Sequence, residues 1–215
     1  MKPKWYAIWR ACGPSIREVS LVTSFTIRNA AREDVPDMVR LINIAGHRLP
    51  LWCWGQLEGG REDPWQVGRT LAAQDEGAIS WTNGTVATLG SDVAALMLAY
   101  PLEGEAPGYG CEIDHPVVTP LRDLKRQAEG TFHIHVLAAY AEYRGRGLGS
   151  FLLDKADRIS GDSDISLIVS DANAPARRFY ERLGFKERAR QSLVTAPDWH
   201  ADGDDWLLMI KPSAQ

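Results

Sequence analysis

The chain has 215 residues, of which 45% are hydrophobic and 24% are charged, and its formal net charge is −4. This composition is typical of a soluble globular protein, and the lack of a basic stripe argues against a nucleic-acid partner. No apolar run reaches the roughly 20 residues that cross a bilayer, so we expect no membrane partner. Cys12, Cys53 and Cys111 are widely spaced and form no C-x-x-C pair, which predicts reduced thiols in a cytoplasmic protein without a metal.

Residues 1–24 differ in pattern from the rest of the chain, and we interpret them as an N-terminal arm. Such an arm packs either on the domain or on a partner subunit, so a homodimer stays open. The remaining residues, 25–215, contain no repeat and no second boundary, which predicts one domain. Their number suffices for a full hydrophobic core.

The first half of this domain is predicted to contain a strand, two helices and a hairpin, in that order. The strand covers 25–28, and Asp34 caps the helix that follows. Residues 47–62 are predicted to be irregular, and the second helix starts at the favourable pair Asp63-Pro64. The hairpin strands are expected at 85–89 and 93–100.

Residues 101–130 break this pattern and are interpreted as an insertion and a candidate lid. Glycines and prolines dominate its first part, which indicates a loop. A short helix is expected from Thr119-Pro120, with Leu121, Leu124 and Ala128 on its apolar side.

The second half is predicted to alternate strands and helices. The strand at 131–138 is expected to place Phe132, Ile134 and Val136 on one face and His133, His135 and Leu137 on the other. After a glycine-rich turn comes a helix whose buried side is marked by Leu148, Phe151, Leu152, Ala156 and Ile159. A buried strand at 165–169, a helix capped by Asn173, and closing strands near 186–193 and 206–211 complete the order.

The glycine-rich turn at 144–150, with the sequence RGRGLGS, is the most informative segment. Glycines let the main chain approach a ligand, and the free amides of a helix N-terminus bind phosphate. Arg144 and Arg146 add forked donors for phosphate oxygens, so the turn suits a pyrophosphate. The Walker pattern is absent, and Ser150 takes the third glycine position of the dinucleotide pattern, in a turn that comes too late in the chain for that fold. A plain helix start remains the simplest alternative for such a turn taken alone.

The surroundings of the turn decide between these alternatives. R-x-x-G-x-G at 144–149 resembles the acetyl-CoA signature of the GNAT superfamily of N-acetyltransferases. The segment NAPARRFYERLGF at 173–185 resembles its second signature, and 136–143 is similar to its strand and bulge. The resemblance implies an α/β fold: a twisted, mostly antiparallel sheet of six to seven strands with a splayed parallel pair, flanked by about four helices.

The resemblance also implies where acetyl-CoA binds as a co-substrate. Leu137 and Ala139 would pair with the pantetheine amides as an added strand does, and an amide near Ala138 would polarise the thioester carbonyl. The pyrophosphate would lie on the turn, against Arg144, Gly145, Arg146, Gly147, Leu148, Gly149 and Ser150. Asn173 would bond the pantetheine or cap its helix, and both roles are compatible.

Two residues are the catalytic candidates. Tyr180 occupies the position of the family's general acid, which protonates the leaving thiolate, although Phe179 and Tyr180 would also suit plain helix packing. His133 is the leading candidate for the base, because histidine titrates near neutral pH; a water relay and Glu142 are the alternatives. A structural histidine is the simpler explanation for His133 taken alone.

The acceptor is expected to be a small-molecule amine. Acidic clusters in the insertion and between the closing strands suggest a cationic one, although solvated loop charges are the better explanation for each cluster taken alone. These clusters are Glu103, Glu105, Glu112 and Asp114, and Asp198, Asp202, Asp204 and Asp205. Trp52 and Trp54 are a further candidate wall of the acceptor site. The competing functions are a non-catalytic acyl-CoA sensor, a partner-binding protein that uses the arm, and a dinucleotide-dependent oxidoreductase.

Overall fold

A computed structural model describes residues 25–103 and 113–213 of the chain. The predicted arm, 1–24, and the middle of the predicted insertion, 104–112, lie outside the described residues. Within the described ranges, no helix is long and apolar enough to span a membrane.

Seven strands form one sheet in the described part of the chain. They are β1 (Thr26–Asn29), β2 (Gly84–Leu89), β3 (Asp92–Pro101), β4 (Phe132–Ala139), β5 (Ile165–Ser170), β6 (Lys186–Ser192) and β7 (Asp205–Lys211). Their spatial order is β1-β2-β3-β4-β5-β7-β6, and every neighbouring pair is antiparallel except β4 and β5. The predicted mixed sheet with one parallel pair is therefore confirmed.

Six α-helices cover the two faces of the sheet in the described ranges, rather than the predicted four or so. They are α1 (Val35–Ala45), α2 (Leu49–Gln56), α3 (Pro64–Ala72), α4 (Thr119–Arg126), α5 (Leu148–Ile159) and α6 (Ala174–Arg182). Buried side chains of α1 to α4 share one hydrophobic core, and those of α5 and α6 share a second core on the other face. The sheet thus separates two apolar layers.

The helix α2 corrects the prediction of an irregular stretch at 47–62. His47 and Arg48 both have left-handed backbone angles, with φ of 51° and 65°, which turns the chain sharply between α1 and α2. Pro50 then lies in the first turn of α2, where it needs no amide hydrogen. Trp54 is fully buried against α3, so packing rather than sequence periodicity stabilises this helix.

The carboxylate of Asp34 does not cap α1 in the predicted way. It accepts two hydrogen bonds from the Arg28 guanidinium, at 2.6 and 2.8 Å, and one from the Ala31 amide at 2.8 Å. These bonds to Arg28, above all, hold the pKa of the Asp34 carboxyl below its usual range. The residue still precedes the helix, but its side chain ties the helix start to β1.

A bulge in β4 corrects the predicted alternation of its faces. Ile134 pairs with Ala99 of β3 and Val136 pairs with Leu98, so His135 is an extra residue on β4. The bulge shifts the later residues by one position, which reverses their faces. Val136 consequently lies in the α1 core rather than beside Ile134, and Leu137 lies on the α5 side.

The buried stripe of α5 is narrower than predicted. Phe151 is 57% exposed and Ile159 is 51% exposed, whereas Leu153, which the pattern did not single out, is buried. Phe151 lies beside the glycine turn: a Cβ on Gly147 would be 3.6 Å from its ring. The exposed aromatic ring therefore flanks the start of α5 instead of packing on the sheet.

The parallel pair of strands separates partway along its length, which creates the site described below. β4 and β5 pair only at Phe132 with Ile165, His133 with Ser166 and Ile134 with Leu167. β4 runs on to Ala139 and β5 to Ser170 without further pairing between them. One edge of β4 is thus open beyond the bulge.

Candidate active site

A groove with a volume of about 490 Å³ lies where β4 and β5 separate, next to the start of α5. Most of the residues predicted to bind the co-substrate line it. They are Leu137, Ala138, Ala139, Arg144, Gly145, Gly147, Leu148, Gly149, Ser150 and Tyr180. The separated strands and the glycine turn thus form one continuous surface.

The glycine turn presents amide groups to this groove. Gly145 and Gly147 have φ of 74° and 80°, a left-handed conformation that glycine adopts without strain. The first hydrogen bond across the start of α5 is donated by the Phe151 amide to the Gly147 carbonyl at 3.2 Å. The amides of Leu148 to Ser150 precede that bond and are available to an anion at the positive end of the helix.

The two arginines of the turn are exposed, and both hold the turn in place. Arg144 Nε donates to the Ala139 carbonyl at 3.1 Å, and Arg146 Nη2 donates to the Glu142 carbonyl at 3.1 Å. The Arg146 guanidinium also lies 5.6 Å from the centre of the Tyr143 ring. Each guanidinium keeps further donors for a phosphate, but Arg146 is not among the residues that line the groove.

Tyr180 closes the inner end of the groove, in the core between α5 and α6. It is 8% exposed, and its ring packs against Phe179 and Phe185 at centroid distances of 5.4 and 5.7 Å. Burial raises the pKa of the Tyr180 phenol to about 12, so this side chain carries its proton at neutral pH. Phe179 in turn packs on the helix start, since a Cβ at Gly149 would lie 3.1 Å from its ring.

Sequence analysis missed several lining residues of the groove, and two predicted residues, Arg146 and Asn173, do not line it. The additional lining residues are Ala95, Tyr143, Leu152, Ala176, Phe179 and Arg182. Ala176, Phe179 and Arg182 fall inside the second signature, so their helical spacing could have predicted that they line the groove. Asn173 is not among the lining residues; its side chain accepts from the Ala176 amide at 3.2 Å and caps α6.

Backbone direction along β4 decides which amides face the groove. The Tyr140 amide donates to the Ala94 carbonyl of β3 at 3.0 Å. Because backbone groups alternate along a strand, those of Ala138 also point to β3, and those of Leu137 and Ala139 point to the open edge. The carbonyl of Ala139, on this open edge, accepts the hydrogen bond from Arg144 Nε.

A second cavity, of about 70 Å³, lies on the opposite face of the sheet. It is bounded by α1, α2, α4, β4, β5 and β7. Its lining residues are Ile42, Ala45, Gly46, Leu49, Pro50, Cys53, Leu121, His133, His135, Val136, Ile168 and Trp206. Val136 lines this cavity and its neighbour Leu137 lines the groove, so the two spaces lie on opposite faces of β4.

A chain of hydrogen bonds fixes the tautomer of His133. Thr131 Oγ1 donates its only proton to the Ala128 carbonyl at 2.7 Å, so the Ser166 hydroxyl must donate in its 2.6 Å bond to Thr131. Ser166 then has no proton left for its 2.9 Å bond to His133 Nδ1. The Nδ1 atom must therefore be the protonated one, which leaves Nε2 with its lone pair.

A buried lysine of α4 lies near the histidines. Lys125 is 2% exposed, and its Nζ donates to the Tyr100 hydroxyl at 2.9 Å. Burial lowers the pKa of Lys125 to about 7. Burial first, and the charge of Lys125 second, hold the pKa values of His133 and His135 well below the usual histidine range. Both imidazoles are consequently neutral around pH 7.

The sequence model of the acetyltransferase (GNAT) family matches residues 54–185, more than half of the chain. The chain belongs to the GNAT family. An uncharacterized N-acetyltransferase of Methanocaldococcus jannaschii is 37% identical over 107 residues, which are 48% of this chain and 64% of that protein. The chain thus spans somewhat less than two thirds of the length of this relative.

Solved GNAT-like structures share the fold at low sequence identity. One acetyltransferase aligns with a TM-score of 0.61 at 20% identity, over 88% of this chain and all of its own. An N-acetyltransferase from Staphylococcus aureus Mu50 aligns with a TM-score of 0.59 at 19% identity, over 86% of this chain and 99% of its own. At these identities the likeness supports the fold alone.

Family membership supports acyl transfer from acetyl-CoA, and the groove fits that molecule. Left-handed glycines, free helix amides and two exposed arginines suit a pyrophosphate, and the open edge of β4 suits an amide-containing arm. Among residues 25–103 and 113–213, no group of three or more His, Cys, Asp or Glu side chains could hold a metal ion.

The described acidic side chains that were predicted to shape the acceptor site do not line the cavity. Glu103, Asp114, Asp198, Asp202 and Asp204 are exposed, and Asp205 pairs with Arg190 at 3.1 Å; Glu105 and Glu112 lie outside the described residues. Trp54 is a core residue, and Trp52 packs against the His115 ring at 5.0 Å. None of the described members of this group lines the cavity.

The cap formed by Asn173 predicts a stability effect without a binding effect. Replacing it in Asn173→Ala should lower the free energy of unfolding by about 1 kcal/mol, because the Ala176 amide loses its acceptor. Urea unfolding measures this loss, and calorimetry with acetyl-CoA should give the wild-type affinity. The variant Asn173→Asp, which keeps an acceptor, is the matched control. A tenfold weaker affinity in the alanine variant at unchanged stability would instead place Asn173 on the pantetheine.

Proposed function

We propose that this GNAT protein is an N-acetyltransferase that moves the acetyl group of acetyl-CoA to a primary amine of a small molecule by direct attack. The observation that carries the proposal is that two spaces lie on opposite faces of β4, at the part of the strand whose edge is open. One holds a protonated phenol, Tyr180, and the other holds an imidazole with a free lone pair, His133. A thioester at the open edge of β4 would lie between an acid and a base.

The groove residues bind and orient the co-substrate in this proposal. Amides of Gly147, Leu148, Gly149 and Ser150 hold the pyrophosphate, Arg144 and Arg146 add positive charge, and Gly145 lets the chain turn beneath it. The open edge at Leu137 and Ala139 pairs with the pantetheine amides. The side chains of Ala138 and Tyr180 complete the wall, while Asn173 acts through its cap on α6.

The reaction needs three groups of this chain. Acetyl-CoA supplies the thioester: a nitrogen–carbon bond forms at its carbonyl carbon, and the carbon–sulfur bond breaks. His133 Nε2 receives the proton of the attacking amine, and the Tyr180 hydroxyl gives a proton to the departing sulfur. An amide on the open edge, that of Leu137 or Ala139, donates to the thioester oxygen as charge develops there. This amide takes the role that the sequence suggested for the amide near Ala138, because the Ala138 amide points to β3.

A non-catalytic acyl-CoA sensor is the second candidate function. It would need the groove but not the neutral base, and the hydrogen-bond chain that leaves His133 Nε2 unprotonated would then have no use. This arrangement favours catalysis. A dinucleotide-dependent oxidoreductase has no support in the matched family.

Calorimetric titration with acetyl-CoA tests the groove. We expect micromolar binding, no binding of NAD, and at least tenfold weaker binding in the double variant Arg144→Ala, Arg146→Ala, since each charge-assisted contact contributes about 1.5–3 kcal/mol. Arg158→Ala, Arg188→Ala is the matched control, because it removes the same charge from exposed positions outside the groove. Equal affinities in both double variants would show that the turn is only a helix start.

Removing the Tyr180 hydroxyl tests the general acid. In Tyr180→Phe the ring packing against Phe179 and Phe185 is retained, so acetyl-CoA affinity should stay within twofold of wild type. We expect kcat to fall about 10²- to 10⁴-fold, the usual contribution of a positioned acid or base. Steady-state assays that follow the release of CoA thiol during amine acetylation measure kcat. An undiminished kcat would leave Tyr180 as a packing residue.

The base predicts a specific pH dependence. A base must be unprotonated to act, and the pKa of His133 lies well below 6.5, so kcat/KM calculated for the unprotonated fraction of the amine should not fall with decreasing pH until well below pH 6.5. Ser166→Ala removes the acceptor of Nδ1–H, which should increase the Nε2–H tautomer seen by ¹⁵N NMR and lower kcat/KM several-fold. Thr131→Ser keeps the chain and serves as the control. A fall of kcat/KM centred at pH 7 would exclude His133 and point to Lys125.

A further inference from the structure

We propose that the acceptor is a primary amine carrying a compact, uncharged, apolar group, and that this group lies in the cavity beside His133. The inference rests on the proposed function, which it deepens by naming the acceptor class. The amine nitrogen would lie at the junction of the cavity with the groove, next to Val136 and Leu137. The apolar group would extend from there between α1, α2 and β7.

The chemistry of the walls carries this inference. Apart from two histidines, every residue of 25–103 and 113–213 that lines the cavity has an apolar side chain, a thiol, an indole ring or no side chain. No Asp, Glu, Lys or Arg of the described part lines it. A second ammonium group placed there would lose its water without gaining a counterion, which costs several kcal/mol for an unpaired charge.

The charge state of the histidines points the same way. His133 and His135 face the cavity as neutral rings, and a cationic tail would find no negative partner in them. Lys125, close by, adds positive potential whenever it is protonated. The exposed Asp202 and Asp204 lie outside the cavity, so they offer a cation only a solvated surface.

The volume of the cavity limits the size of the group. At about 70 Å³ it is roughly half of the ~150 Å³ cavity that admits benzene in an engineered protein core. A propyl, isopropyl or isobutyl group is therefore of suitable size, and a long alkyl chain or a polyamine is not.

The position of the proposed base, His133, indicates that the cavity holds the acceptor amine rather than a long acyl chain. His133 Nε2 is the lone pair that the hydrogen-bond chain leaves unprotonated, and His133 lines this cavity. An acyl chain has no proton to give it, whereas an attacking amine does. Tyr180, the proposed proton donor, lines the groove on the opposite face.

The decisive comparison uses two amines of equal length, n-butylamine and 1,3-diaminopropane, in which a methyl group replaces an ammonium group. With wild-type protein and saturating acetyl-CoA, we expect kcat/KM to be at least 100-fold higher for n-butylamine. Across methyl-, ethyl-, propyl- and isobutylamine it should rise several-fold for each added carbon, and it should fall for n-octylamine. A diamine or spermidine that reacts as well as n-butylamine would overturn the proposal.

Variants of the wall connect this preference to the cavity. Ala45→Leu fills the cavity and should lower kcat/KM for isobutylamine at least tenfold while changing that of methylamine less than threefold. Ile168→Ala enlarges it and should shift the optimum to longer chains. Ile44→Ala, an exposed position on the same helix as Ala45, is the control. Unchanged acetyl-CoA affinity shows that each variant is folded, and an unchanged amine profile in both wall variants would overturn the proposal.

A binding measurement separates this inference from the proposed function. Calorimetry of n-butylamine and 1,3-diaminopropane with the wild-type protein saturated with CoA needs no turnover. Selective binding of n-butylamine that Ala45→Leu abolishes supports the apolar site even if no acetyl group is transferred, in which case only the proposed catalysis falls. Failure of n-butylamine to bind to protein that binds acetyl-CoA would overturn the inference.

Discussion

The separation of β4 from β5 is the constraint on which the rest of the site depends. Three residue pairs hold the two strands together, and the bulge at His135 comes directly after them. A bulge bends its strand and increases its twist, so it turns β4 away from the straight path of β5, which stays paired with β7 along its whole length. The open edge, the groove on one face and the cavity on the other all follow from this one divergence.

The same divergence lies between the two proposed proton-transfer groups, which belong to opposite layers of the structure. Tyr180 belongs to the core of α5 and α6, and His133 belongs to that of α1 to α4. Burial raises the pKa of the phenol and lowers that of the imidazole, so both groups are uncharged near pH 7. Each is then in the state that its role requires, the acid with its proton and the base without one.

Much of this fold was predictable because its signals are local. The hairpin of β2 and β3, the cap at Asn173 and the glycines of the turn depend on residues close in sequence. The errors arose where contacts distant in sequence decide the structure. The bulge at His135 reversed the faces of Val136 and Leu137, although period-two alternation was sound on either side of it.

Two further features show where single-sequence patterns lose information. The helix α2 is apolar on most sides, and it forms because Trp54 packs on α3, a contact that periodicity does not reveal. Lys125 occupies a core-facing position of α4, four residues after Leu121, yet a lysine there is ordinarily taken as a surface residue. The four-residue spacing from Leu121 was the sequence signal that placed Lys125 inside, near His133 and Tyr100.

The hydrogen bonds of His133 relate its proposed role as the base to the charge that the acceptor can carry. A carboxylate on Nδ1 would fix the same tautomer, but it would raise the pKa of the imidazole and add a negative charge beside the cavity. The chain through Ser166 and Thr131 to a carbonyl fixes the tautomer with neutral groups alone. The proposed base therefore stays neutral beside a cavity that no Asp or Glu of the described residues lines, and this lining disfavours any acceptor that carries a second charge.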